Sequence, residues 1–423
     1  MAETGKQAAR VAIVPLILIV SLFFLWGMAN NLNDILVQQF RKAFTLSDLQ
    51  SGLVQSVFYF GYFALALPAG YFMRRMGYKA AVITGLLLYA AGALLFWPAA
   101  QAHSYDMFLL ALFVIAAGLT FLETSANPLI TQLGPADSSE RRLTLAQAFN
   151  PLGSITGVLI GRFFIFSGEE RTEAELAAMS ETARTAYYTA ESAMVQTPYL
   201  IIGIVVFAWA GMVALARFPK VDTAEEAVGG ATTSLGSLLR EPRLMAAVTA
   251  QFFYVGAQVA IWSYMIRYAL ATVPGTSERG ASDYLTTALV AFMIGRFSGA
   301  ALMRVVAPQR LLALYAGANI ALTLVAVLFP GKIGLWALVA ASFFMSIMFP
   351  TIFSLGLRGF GEARKLASSL LVMSIIGGAA LTAAMGAMSD TFGIANALLS
   401  ATLSFGVILF FAAVATHWQV RRP

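Results

Sequence analysis

The chain has no cysteine and only two histidines, His103 and His417. Without thiols there can be no disulfide and no thiolate metal centre. Charge is also scarce: Asp, Glu, Lys and Arg make up 11% of the residues, where a soluble domain carries roughly 25%. Hydrophobic residues reach 59%, with a mean hydropathy of +0.77. A soluble globular chain is thereby excluded, and the expected partner is the lipid bilayer. The net charge of +6 does not point to nucleic acid, because Lys and Arg fall in short connections between apolar runs. An enzyme working inside the membrane would need a nucleophile–base or metal constellation. His103 in an outer loop and His417 near the C-terminus do not supply one, and no Asp-x-x-Asp pair stands in an apolar run.

What is present is a series of long apolar runs. About 20 such residues suffice to cross the hydrocarbon core as a helix. Twelve spans are predicted, near 11–38, 50–72, 80–100, 107–133, 143–166, 197–217, 243–271, 283–305, 309–329, 333–357, 366–389 and 393–416. The first follows a short polar segment with Glu3, Lys6 and Arg10; it is too long for a signal-peptide core and is expected to be retained. Two connections are long. Residues 167–196 are polar and acid-rich, and 218–242 are rich in Thr, Ala, Gly and Glu. The second divides the chain into an N-terminal six-helix half (1–217), a cytoplasmic linker (218–242) and a C-terminal six-helix half (243–423). With both termini in the cytoplasm, eighteen Lys and Arg fall on inner loops and tails and six on outer loops, the bias that orients membrane proteins. A weak internal repeat lays Gly70 to Lys79 over Gly299 to Arg310, each with a glycine shortly before an arginine. Parallel repeats of this kind place a midplane site between two halves.

Polar side chains interrupt the apolar runs at helical spacing. Asn30, Asn31 and Asp34 share a face of span one, Gln38 extends it, and Gly27 leaves room one turn back. Span four carries Thr120, Glu123 and Asn127, with Pro128 expected to break the helix; span five adds Gln147 and Asn150. Asp34 and Glu123 are the carboxylates placed well inside the hydrocarbon, and Asp390 lies at a span end. A charged carboxylate is costly there, so either group could take up and release a proton. Buried amides also tie membrane helices together, so Asn30, Asn33 and Asn127 fit a structural reading equally well. Arg162 in span five is a possible counter-ion to Asp34. In the second half Gln251, Tyr254, Gln258 and Trp262 fall on one face of span seven, no carboxylate is buried, and Arg267 and Arg296 lie in or near spans. Amides that bond hydroxyls and a ring that covers a pyranose suit a sugar; an aromatic at this spacing equally suits packing. Pro350 in Phe349-Pro350-Thr351 marks an expected break in span ten.

The strings Asn30-Asn31-Leu32-Asn33-Asp34, Leu122-Glu123-Thr124-Ser125-Ala126-Asn127-Pro128 and Leu145-Ala146-Gln147-Ala148-Phe149-Asn150 resemble the fucose–proton symporter family of the major facilitator superfamily. The likeness continues through Gln196 to Tyr199, Gln251 to Gln258, Trp262 to Tyr268 and Phe349 to Gly356. It implies an all-α fold of twelve transmembrane helices, two pseudo-symmetric six-helix halves rocking about a central cavity. It also implies uptake of L-fucose or a related hexose, driven by protons, by a functional monomer in a bacterial inner membrane. Asp34 stands at the family's proton-coupling carboxylate and Glu123 at its second essential one, which also contacts sugar. Asn31, Gln147 and Asn150 stand at cavity-lining amides. No cofactor or metal is implied. The coupling ion is expected to be a proton, with a sodium-coupled carrier of glucose, galactose or N-acetylhexosamine as the competing reading. Two departures are visible: Arg74 stands where the superfamily's loop signature has an acid, and Arg162 is foreign to the family pattern.

Overall fold

The computed structural model describes residues 13–44, 46, 48–133, 135–165, 173–216 and 234–420. Among them all regular structure is helical. The N-terminal half comprises α1 (Ile13–Ala43), α2 (Asp48–Gln101), α3 (Tyr105–Gln132), α4 (Ser139–Gln147), α5 (Asn150–Ile160), α6 (Glu181–Ala193) and α7 (Gln196–Leu215). The C-terminal half comprises α8 (Pro242–Thr272), α9 (Glu278–Leu302), α10 (Pro308–Leu328), α11 (Lys332–Met345), α12 (Met348–Gly356), α13 (Arg364–Met373), α14 (Gly377–Phe392) and α15 (Leu399–Val420). Most of the expected linker, 218–233, lies outside the described residues.

Among the described residues, ten helices are long and apolar enough to cross a bilayer. One of them holds two expected spans joined without a loop: α2 bends at Gly77, whose φ of 84° belongs to the left-handed region that glycine tolerates. The apolar stretch Ile17–Asn33 of α1 adds the remaining crossing, and the twelve expected spans are all accounted for. Three crossings are broken into two helices each: α4–α5, α11–α12 and α13–α14.

One expectation about proline is corrected, and the other, a break in span ten, is met one turn ahead of the proline. Pro128 does not end its helix; α3 continues to Gln132. The break in span ten falls at Ser346–Ile347, ahead of Pro350, which occupies the first turn of α12. Proline is tolerated in a first turn because the N–H it lacks would have no intrahelical partner there. The described part of the connection between spans five and six is mostly helical. It contains α6, which docks on the end of α1: Gln39 Nε2 donates to the Glu191 backbone oxygen (2.8 Å) and carboxylate (3.0 Å).

Helix α1 packs closely against α5. A Cβ on Gly27 would stand 2.2 Å from the Asn150 backbone oxygen, and one on Gly153 would stand 2.0 Å from the Phe24 oxygen. The room at Gly27 is therefore filled by a neighbouring helix. The halves meet through α13 against α2 and α3, α12 against α4, and α9 against α4 and α5. These contacts gather at the end that carries the loop arginines. There Arg358 pairs with buried Glu140 at 2.8 Å, and the Ser139 and Ser354 hydroxyls lie 3.0 Å apart. The two glycines of the repeat differ in what they face. Gly70 abuts Ser369 of the opposite half, whereas Gly299 abuts Ile347 of its own.

Candidate functional site

Glu123 is 5% exposed and lies on the face of α3 turned toward the centre of the molecule. Its Oε1 accepts from the Tyr62 hydroxyl of α2 at 3.3 Å, and its Oε2 has no protein partner. One turn on, Asn127 Oδ1 accepts from Gln147 Nε2 of α4 at 3.1 Å, leaving Asn127 Nδ2 unpartnered. Three of the residues marked out by the sequence, Glu123, Asn127 and Gln147, thus form one cluster.

The C-terminal half contributes Arg296 of α9, also 5% exposed. Its Nε donates to the Ser346 backbone oxygen at 3.2 Å, its Nη1 donates to the Gln147 backbone oxygen, and its guanidinium lies 4.5 Å from the Phe292 ring centroid. Through the Gln147 carbonyl Arg296 joins the cluster that holds Asn127 and Glu123. Among the described residues, no ion pair within 4.0 Å joins Glu123 to a base. Tyr254 and Gln251 of α8 are fully buried; the Tyr254 hydroxyl and both amide atoms of Gln251 have no protein partner, nor has the Thr351 hydroxyl of α12. Burying a polar group without a partner is expensive, so this many orphaned atoms mark a place made for a polar guest or for water.

Other marked residues are already engaged. Trp262 is half-buried, donates from Nε1 to Ser342 Oγ at 3.1 Å and packs edge-on to Phe292. Gln258 is half-buried on the same helix. Asn31 Nδ2 reaches the Gly27 oxygen of its own helix at 3.5 Å, and Asn33 donates to Gln55 of α2 at 3.0 Å. Oriented with its oxygen toward α1, the Asn150 amide accepts from Trp26 Nε1 at 2.8 Å and the Gly27 N–H at 3.2 Å. The side chains of Asp34, Gln38 and Arg162 lie outside the described residues. The expected pairing of Asp34 with Arg162 lies there too.

Sequence reasoning passed over Tyr62 and Glu140 and gave Arg296 no role. A tyrosine in an apolar span is unremarkable by itself, and Glu140 reads as a loop residue. Arg296 carried a signal. An arginine within an apolar run needs partners, and carbonyls freed by nearby prolines provide them.

Comparison with known proteins follows the same lines. The profile of the Major Facilitator Superfamily matches residues 17–374. The chain is 48% identical to the L-fucose-proton symporter of Escherichia coli over 96% of its own length and 93% of that protein's. It is 36% identical to a glucose/galactose transporter of Brucella abortus, with 93% and 92% covered. A solved Major Facilitator Superfamily transporter, FucP, in the outward conformation superimposes with a TM-score of 0.88 at 47% identity, covering 95% of this chain and 99% of that one.

Proposed function

This chain belongs to the Major Facilitator Superfamily, and on that premise we propose that it imports L-fucose by proton symport through alternating access. The observation that carries the reading is Glu123: a buried carboxylate with one free oxygen, among unpartnered polar atoms of both halves. Such a group binds a proton or a sugar hydroxyl at the boundary that must open and close. The close relationship to an L-fucose-proton symporter supports the substrate. The relationship to a glucose/galactose transporter makes those hexoses the sugars to test beside it.

Asp34 and Glu123 carry the proton in this reading. Glu123 and Gln147 on one side, and Gln251, Tyr254 and Gln258 on the other, face the sugar, while Asn31, Asn150 and Trp262, whose polar atoms already bond within the protein, shape the cavity around it. Protonation removes a buried charge and lets the loaded carrier reorient; charged and empty, it resists. A ligand shifts such an equilibrium only by its different affinity for the two states. The protein works as a monomer in a bacterial inner membrane with both termini in the cytoplasm. The paired Glu140 and Arg358 then close the cytoplasmic side.

The test uses Asp34→Asn in proteoliposomes. Counterflow of L-fucose should persist while proton-driven accumulation disappears. Accumulation equal to that of the parent would reject the assignment, and dependence on added sodium at clamped pH would replace the proton by sodium.

A further inference from the structure

Three buried carbonyls near the middle of the molecule each stand four residues before a proline: Thr124 before Pro128, Gln147 before Pro151 and Ser346 before Pro350. Proline has no N–H, so a carbonyl at that position loses its usual helical donor. All three accept instead from a side chain on another helix. Thr124 accepts from Ser368 Oγ at 3.1 Å. Gln147, in the N-terminal half, and Ser346, in the C-terminal half, both accept from Arg296. A guanidinium offers five N–H donors in a rigid fork and stays charged. It can therefore hold two carbonyls at once.

Among the described residues no carboxylate lies within 4.0 Å of the Arg296 guanidinium. It reaches the Glu123 cluster through Gln147, whose carbonyl it bonds and whose amide bonds Asn127, one turn along α3 from Glu123; Glu123 itself accepts from the Tyr62 hydroxyl. The side chain of Asp34 lies outside the described residues. Glu123, the buried carboxylate of this cluster, is a charge that a proton can neutralise.

We propose that Arg296 is a positioning residue for transport: it clasps the two halves through the carbonyls that Pro151 and Pro350 leave free, and the charge on Glu123 sets how firmly it holds. This inference rests on the symport reading above. While Glu123 is charged, the cation is compensated inside the closed interface. Once Glu123 is protonated, Arg296 becomes an unbalanced buried charge, which is costly. Separating the halves at this depth breaks the bond to Gln147 and brings the guanidinium to water. Protonation of Glu123 therefore favours opening on the side that is closed here.

The experiment compares the parent, Arg296→Gln and Arg296→Lys, each with and without Ser368→Cys as the single thiol in a chain that has no cysteine of its own. Reconstituted protein is assayed for L-fucose counterflow and proton-driven accumulation over a clamped pH series. Thiol labelling at position 368 reports opening without requiring transport. In the parent, labelling should rise as pH falls; in Arg296→Gln it should be flat or inverted. Removing a nearby cation should also move the counterflow profile to more alkaline pH by about 1–2 units. Arg296→Lys should keep the position of the profile but lose rate, because an ammonium cannot bridge both carbonyls with the same fork. Pro350→Ala, which returns an N–H to the Ser346 carbonyl, should slow transport in the same direction. Labelling and pH profiles in Arg296→Gln that superimpose on the parent's would overturn the proposal and leave Arg296 a packing residue. Absence of proton-driven accumulation in the parent would instead strike the symport reading, while labelling still tests the clasp.

Discussion

At the scale of single residues, the centre of this protein holds polar atoms that the protein itself does not satisfy. Gln251 is the clearest case, because both ends of its amide are buried and unpartnered. Replacing a buried, unsatisfied polar group by an apolar one of similar shape is nearly neutral or stabilising. Gln251→Leu should therefore leave the melting temperature unchanged or raised while sugar affinity falls by about tenfold or more, the loss of a buried hydrogen-bonding partner. Calorimetry on the purified protein and substrate binding separate the two effects, and a large loss of stability with intact binding would assign the amide to packing. Asn150 and Trp262 contrast with it. Both were legible as sugar-binding types, yet each has a hydrogen-bond partner in the fold, Trp26 and Ser342 respectively. Residue type and spacing alone could not tell a polar group already bonded in the fold from a free one.

At the scale of helices, glycine and proline decide which elements touch. Gly27 and Gly153 let α1 and α5 approach to backbone contact, as small residues do where helices pack without a hydrophobic drive. Gly27→Val should destabilise the protein by about 1–3 kcal/mol, read as lower thermal stability in detergent. Gly211→Val, where a Cβ meets nothing within 4 Å, should be silent in the same assay. Equal effects at the two sites would remove the packing role of Gly27. The apolar runs located every span to within a few residues because hydrophobic length is a local property. They marked the break near Pro350 but misread Pro128, whose helix continues, and the sequence alone does not say where the carbonyl a proline frees finds its donor. For Thr124 and Ser346 that donor lies on another helix.

At the scale of the whole molecule, the halves are held together at the end bearing Glu140 and Arg358, with α13 laid across α2 and α3. Alternating access requires this contact to come apart and re-form. Ser139 and Ser354 belong to opposite halves with hydroxyls 3.0 Å apart. The double variant Ser139→Cys, Ser354→Cys should cross-link on oxidation, abolish uptake, and recover with reductant. Uptake that continues in fully cross-linked protein would mean that the halves do not separate here. By itself the sequence determined membrane residence, the number and order of the crossings, and the carboxylate, amide and aromatic chemistry available for a sugar, because composition and helical periodicity are written along the chain. Only the tertiary structure decided that Arg296 of one half bonds the Gln147 carbonyl of the other, that Glu140 is buried against Arg358, and which amides remain free. Those facts depend on which helix faces lie opposite one another across the boundary between the halves, a relation between residues more than a hundred positions apart.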